Sequence, residues 1–155
     1  FGLMLTADGP KVIEYNCRFG DPEAQAVLPL LESDLFEIML AVREERLAEA
    51  EVHFSKGASC CVVMASEGYP GKVREGMEIH IDSGLPPDTV VYHSGTRRDG
   101  ETLRTAGGRV LSVTAVAPTA GEARSRAYAG VGLIHFEGAR FRHDIGTAGG
   151  LSHDA

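Results

Sequence analysis

Glu14, Asn16 and Arg18 alternate along the stretch Val12-Ile13-Glu14-Tyr15-Asn16-Cys17-Arg18-Phe19-Gly20-Asp21-Pro22-Glu23, and together they offer two hard oxygen donors and a guanidinium. Successive side chains of an extended chain point to opposite faces, so Glu14 and Asn16 should share a face with Cα atoms roughly 6–7 Å apart. Ile13 and Tyr15 should then face whatever packs beneath. A carboxylate beside a carboxamide oxygen suits Mg²⁺, which keeps some water and commonly binds substrate phosphates too. The planar fork of Arg18 suits a bound carboxylate or phosphate, or an ion pair with Asp21 or Glu23. Such spacing also occurs on ordinary solvated strand ends, so the surrounding elements have to decide.

Those elements can be read in order. Phe1 to Leu5 and Lys11 to Tyr15 flank an Asp8-Gly9-Pro10 turn and predict a hairpin. Gly20-Asp21-Pro22-Glu23 turns the chain into a helix, with Asp21 as the expected N-cap and Pro22 at the first helical position. Pro29 should kink or end that helix. A second helix should start from Ser33 or Asp34 and run to about Ala48, with Leu35, Phe36, Met39, Leu40 and Val42 as a core-packing stripe.

From Val52 to Gly57 the composition shifts to strand-like sequence. Ala58 to Ala65 reads as a buried strand, Glu67 to Lys72 as a loop, and Glu78 to Ile81 and Thr89 to His93 as short strands. After turns at Asp99-Gly100 and Gly107-Gly108, Arg109 to Val116 carries apolar groups on both faces and should lie centrally. Thr119-Ala120-Gly121-Glu122 is a capping box announcing a helix that presents Ala123, Ala127, Val131 and Ile134 on one face. Gly130 and Gly132 should weaken it by about 1 kcal/mol each relative to alanine. The fold class expected is α+β, with a tail over residues 147–155 expected to be disordered.

Composition narrows the function classes. The 155 residues are 43% hydrophobic and 24% charged, as in folded domains. A net charge of −7 argues against a nucleic-acid surface, and Arg97-Arg98 is the only adjacent basic pair. The longest apolar runs, such as Cys60 to Ala65, are too short to cross a bilayer, so no membrane partner and a cytoplasmic location are expected. Three cysteines, two of them adjacent, fit buried free thiols better than a disulfide framework or zinc site. The six histidines lack metal-ligand spacing. Opening at Phe1 inside a strand, the chain reads as a portion of a longer protein.

The run Glu14-x-Asn16-x-Arg18-Phe19-Gly20-Asp21-Pro22-Glu23-x-Gln25 resembles the signature of the glycinamide ribonucleotide synthetases, ATP-grasp ligases of purine synthesis. Gly68-Tyr69-Pro70-Gly71, His93-Ser94-Gly95-Thr96, Gly107-Gly108-Arg109-Val110 and Arg142-x-Asp144-Ile145-Gly146 are similar to that family's carboxy-terminal domain, in the same order. The resemblance implies that residues 1–55 end an ATP-grasp domain, a hairpin plus helices, and that 56–146 form a small β-rich domain with the capping-box helix. It implies Mg²⁺ or Mn²⁺ held by Glu14 and Asn16, ATP as co-substrate, and glycine and 5-phosphoribosylamine as substrates. It makes Arg18 the candidate catalytic residue and the missing amino-terminal portion of the enzyme a required partner. This chain alone, without a glycine-rich phosphate-covering loop, should be inactive. Two other readings are a non-catalytic binding or assembly module and a sister ATP-grasp purine enzyme. The second should lack the Arg-Phe-Gly-Asp-Pro-Glu run.

Overall fold

Two short strands, β1 (Gly2–Thr6) and β2 (Gly9–Glu14), open the chain as an antiparallel hairpin. The computed structural model describes residues 1–147. Its α+β architecture is a set of small sheets with helices packed against the largest of them. Gly9 and Pro10 belong to β2 and are not turn residues; Gly9 takes φ +95°, a region its missing side chain permits. The strand also stops at Glu14, one residue short of the sequence reading. Ile13 and Tyr15 are exposed rather than buried as expected; the Phe1 ring meets Tyr15 edge-on, with centroids 5.1 Å apart.

After the hairpin, α1 (Glu23–Val27) gives way at Pro29 to a 3-10 turn, Leu28–Leu30, because proline has no N–H to continue the ladder. Asp21 does not cap α1. Pro22 occupies the N-cap and makes no side-chain bond, while the Asp21 carboxylate accepts from Gln25 Nε2 at 2.8 Å. In α2 (Leu35–Arg43) the N-cap is Asp34, whose carboxylate accepts from the amides of Phe36 and Glu37. This helix ends five residues before Ala48, since Glu45 turns to φ +58° and a 3-10 turn follows over Leu47–Glu49. Its stripe is not core-packed: Phe36, Met39 and Val42 are exposed, and only Ala41 is buried.

The core lies further along. Strands β3 (Ala58–Ala65), β5 (Thr89–His93) and β8 (Arg109–Ala117) form an antiparallel sheet in the order β3-β8-β5, with β8 central as its two apolar faces require. On one face α3 (Ala120–Val131) buries Ala123, Ala127 and Val131 against Val62, Met64, Leu111 and Val113. Gly130 is no defect in this helix, because a Cβ there would sit 2.8 Å from Val113 Cγ1; the missing side chain lets the helix close on the sheet. Only the threonine half of the capping box forms, with Thr119 Oγ1 accepting from the Glu122 amide at 3.2 Å. Ile134 is buried, but in β9 (Ile134–His135) beyond the helix.

Three strands escaped the sequence reading. β6 (Thr96–Asp99) and β7 (Thr102–Thr105) form a hairpin around Gly100, and β9 pairs with β4 (His80–Ile81), which is shorter than expected. On the second face of the main sheet lies α1, with the Ser59 hydroxyl donating to the Ala26 carbonyl. The chain after α3 returns along that helix: Arg124 donates to the carbonyls of Ile145 and His143, and the Tyr128 hydroxyl donates to that of Arg142. The expected disordered tail lies, from residue 148 on, outside the described residues.

Candidate functional site

Glu14 and Asn16 meet by a route other than strand alternation. β2 ends at Glu14, and a bulge in the hairpin between Gly2 and Leu3 sets Gly2 opposite it. A Cβ on Gly2 would lie 2.9 Å from Glu14 Cγ, so the absence of a side chain there makes room for the carboxylate arm. Asn16, in the loop beyond, donates from Nδ2 to Glu14 Oε1 at 3.2 Å. Glu14 Oε2 and Asn16 Oδ1 make no hydrogen bond to the described residues.

The loop then folds over Gly20, which is buried. A Cβ there would be 2.2 Å from Glu23 Oε2 and 3.3 Å from Asn16 Nδ2. The Glu23 carboxylate, on the first residue of α1, and the Asn16 amide thus both lie against Gly20. The Gly20 carbonyl accepts from the Ala24 amide at 3.0 Å, which starts the helix. Asn16, Arg18, Phe19, Gly20 and Glu23 line one cleft of about 250 Å³. Arg18 makes neither expected ion pair: its Nη1 donates to the Phe19 carbonyl at 2.8 Å, and neither Asp21 nor Glu23 is its partner among the described residues.

The donor set fits a hard divalent cation. It offers a carboxylate, a carboxamide and a neighbouring second carboxylate, with no sulfur or imidazole to favour a softer metal. No cluster of three or more His, Cys, Asp or Glu side chains that could hold a metal ion occurs among the described residues. A cation here would complete its shell with water and phosphate oxygens, as Mg²⁺ does.

Three residues to which the sequence assigns no role meet at Asp21, next to Gly20 of this cleft. Arg109, at the start of β8, bonds through Nη1 to the Asp21 carbonyl and lies 3.5 Å from Asp21 Oδ2. Its Nε donates to the Tyr69 hydroxyl at 3.0 Å, and Gln25 holds the other Asp21 oxygen. The Tyr69 hydrogen bond, aided by the charges of Asp21 and Glu23 and opposed by partial burial, raises the Arg109 pKa above its ordinary value. The only signal in the sequence was that Arg109, Tyr69 and Gln25 fall within motifs. Nothing in their spacing joins positions so far apart.

The described histidines stay away from the cleft. Beside Thr96, His93 sits with its Nδ1 3.3 Å from that hydroxyl, and His53, His80 and His135 lie near Glu51, Glu78 and Asp82. His153 lies outside the described residues. A larger hollow of about 590 Å³, floored by Met64, Met77, Ile134 and Phe136, is rimmed by Glu78, His80, His135 and Glu137, which do not gather into a group able to hold a metal ion. Cys60 and Cys61 are buried free thiols, whereas Cys17 is exposed, against expectation. No helix among the described residues is long and apolar enough to cross a membrane.

Comparison with known proteins defines first the class. The family model for the phosphoribosylglycinamide synthetase ATP-grasp (A) domain matches residues 1–24, and that for the phosphoribosylglycinamide synthetase C domain matches residues 59–148. The chain is 50% identical over 148 residues to a phosphoribosylamine–glycine ligase of Chlorobaculum tepidum, covering 94% of this chain and 35% of that protein. It is 49% identical over 148 residues to the trifunctional purine biosynthetic protein adenosine-3 of Gallus gallus, covering 94% of this chain and 15% of that one. A crystal structure of phosphoribosylamine–glycine ligase from Thermotoga maritima superposes with a TM-score of 0.68 at 34% identity, over 92% of this chain and 35% of that chain. The chain belongs to the phosphoribosylglycinamide synthetase family. It spans about a third of the length of the single-function ligases it matches.

Proposed function

We propose that this chain is the carboxy-terminal part of a phosphoribosylamine–glycine ligase, which joins glycine to 5-phosphoribosylamine as ATP becomes ADP and phosphate. Residues 1–55 would close an ATP-grasp domain supplied mostly by an amino-terminal portion, and 56–146 would form the domain docked against it. The single observation that carries the reading is the pairing of Glu14 with Asn16 beside the cleft of Arg18 and Glu23. The short ATP-grasp match covers that pair and the resemblance of the whole chain to such ligases supports it.

A free carboxylate is a poor acyl donor, because oxide would have to leave. Transfer of the γ-phosphoryl group to the glycine carboxylate gives glycyl phosphate, and the amine of phosphoribosylamine then attacks the acyl carbon and displaces phosphate. Proteins accelerate such steps by positioning and electrostatics more than by nucleophiles of their own. Glu14 and Asn16 would hold Mg²⁺ or Mn²⁺, which when bound neutralises charge on the transferring phosphoryl oxygens. Arg18, which has no carboxylate partner among the described residues, would hold the glycine carboxylate, its acyl phosphate or a substrate phosphate. The reaction uses water-soluble substrates throughout, in keeping with a cytoplasmic setting.

The test is product formation by the full-length enzyme containing this chain. Glu14→Ala should lower kcat by at least about 100-fold, the usual scale for losing one preorganised electrostatic group. The 155-residue chain alone should show no turnover. Undiminished turnover in Glu14→Ala, or turnover by the chain alone, would overturn the assignment.

A further inference from the structure

Motif segments distant in sequence meet at Arg109. The Ser66 amide donates to the Gly108 carbonyl and its hydroxyl to that of Gly107, each at 2.8 Å. The Gly95 amide donates to the Arg109 carbonyl at 2.8 Å, and a Cβ on Gly95 would lie 2.6 Å from that oxygen and 2.9 Å from Gly107 Cα. The backbone around Arg109 is therefore clamped by contacts that only glycine allows. A Cβ on Gly108 would lie 2.5 Å from the Tyr69 ring, so the ring rests directly on that glycine with its hydroxyl turned to Arg109 Nε. From this fixed base the guanidinium reaches across to the Asp21 carbonyl and carboxylate, whose second oxygen Gln25 holds. Asp21 adjoins Gly20, the residue over which Asn16 and Glu23 come together.

We propose that Arg109, seated on Tyr69, is a positioning residue for the Glu14–Asn16 site: it latches the Gly20-Asp21-Pro22 turn to the main sheet and so sets where Asn16 and Glu23 stand. Half-exposed ion pairs contribute little to stability, but a planar guanidinium bonded in two directions fixes geometry. A displacement of about 1 Å in a reacting array can cost about 100-fold in rate. The glycine-rich motifs of the sheet region thereby act on a site they do not touch. This inference rests on the reading of Glu14 and Asn16 as cation ligands.

The test uses the full-length enzyme and its Arg109→Gln, Arg109→Lys, Tyr69→Phe and Glu14→Ala variants, with three readouts: Mn²⁺ affinity in the presence of a non-hydrolysable ATP analogue, kcat, and thermal midpoint. Arg109→Gln should weaken Mn²⁺ about tenfold and lower kcat by about 10- to 100-fold while the thermal midpoint stays near that of the parent. Arg109→Lys, which keeps the charge and loses the fork, should fall short of restoring either. Tyr69→Phe keeps the ring on Gly108 and should move both in the same direction by less. Parental Mn²⁺ affinity in folded Arg109→Gln, or full restoration by lysine, would overturn the latch. If Arg109→Gln does not fold, Tyr69→Phe decides, and parental Mn²⁺ affinity there overturns it. Glu14→Ala separates the two ideas: unaltered Mn²⁺ binding in that variant removes the cation reading and the latch with it, whereas lost binding there beside parental binding in Arg109→Gln removes the latch alone.

Discussion

The hairpin region of this chain is richer in apolar residues than the sheet region, yet it is the sheet region that buries them. Val62, Leu111 and Val113 on the sheet are wholly buried, while Leu5, Ile13, Tyr15 and Phe36 in the first 55 residues are more than 60% exposed. The sheet finds its second layer in α3, which follows β8 directly and brings Ala123 and Ala127 onto it. The hairpin and α2 carry faces of the same chemistry, and nothing among the described residues covers them. Apolar patches of that extent on a soluble protein mark surfaces made to be covered. The region with the candidate chemistry is thus the one that does not complete itself, and the self-sufficient region reaches over to it through Arg109.

The contrast can be broken most sharply by truncation. Leu111→Ala should destabilise the 155-residue chain by about 3 kcal/mol, a transfer loss plus a cavity that close packing cannot refill. Phe36→Ala should change it by less than about 0.5 kcal/mol. In the full-length enzyme the same Phe36→Ala should cost more than about 2 kcal/mol, because a covered aromatic leaves a cavity when removed. Urea unfolding of both variants in both lengths measures this. Equal, small effects of Phe36→Ala in the two contexts would mean that the stripe stays bare and that the amino-terminal partner does not dock there.

A smaller effect sharpens the same contrast through the thiols. Cys17 belongs to the open region, and Cys60 and Cys61 to the closed one. Burial pushes both buried thiols above their ordinary pKa; for Cys60 the charge of Cys61 adds to this, and for Cys61 the Thr114 and Ser112 hydroxyls oppose it. Because the folded state holds these protons more tightly than the unfolded, stability is unaffected below the ordinary thiol pKa of about 8.5 and declines as pH rises past it. A disulfide reagent at pH 8 should label one thiol rapidly and the other two only on unfolding. Melting scans above that pH should show an alkaline decline that Cys60→Ala and Cys61→Ala reduce. Rapid labelling of all three cysteines would contradict the burial assigned to the sheet.

What the sequence revealed follows from which interactions are local. The hairpin, the caps of α2 and α3 and the central strand are readable because Asp34, Thr119 and the two-faced run from Arg109 to Val116 report on neighbours a few residues away, whereas Asp21 bonds Gln25 and leaves α1 uncapped. The Glu14–Asn16 pairing was foreseen, yet strand alternation was the wrong reason, since the strand stops at Glu14 and the loop closes the distance. β6 and β7 were hidden because Thr96-Arg97-Arg98-Asp99 and Thr102-Leu103-Arg104-Thr105 carry too little apolar alternation to read as strands. Phe36 and Met39 misled because helical periodicity records that a face is to be buried and not by which segment. The Arg109–Asp21 contact spans 88 positions, beyond the reach of any spacing rule.

The central claim is that Glu14 and Asn16 exist to hold a divalent cation against nucleotide phosphates. Mn²⁺ titration followed by electron paramagnetic resonance, on the full-length enzyme with bound ATP analogue, addresses it without relying on turnover. The account predicts that Glu14→Gln and Asn16→Ala each raise the Mn²⁺ dissociation constant by at least about tenfold, the scale on which even outer-shell partners matter. Parental affinity in both folded variants would contradict it.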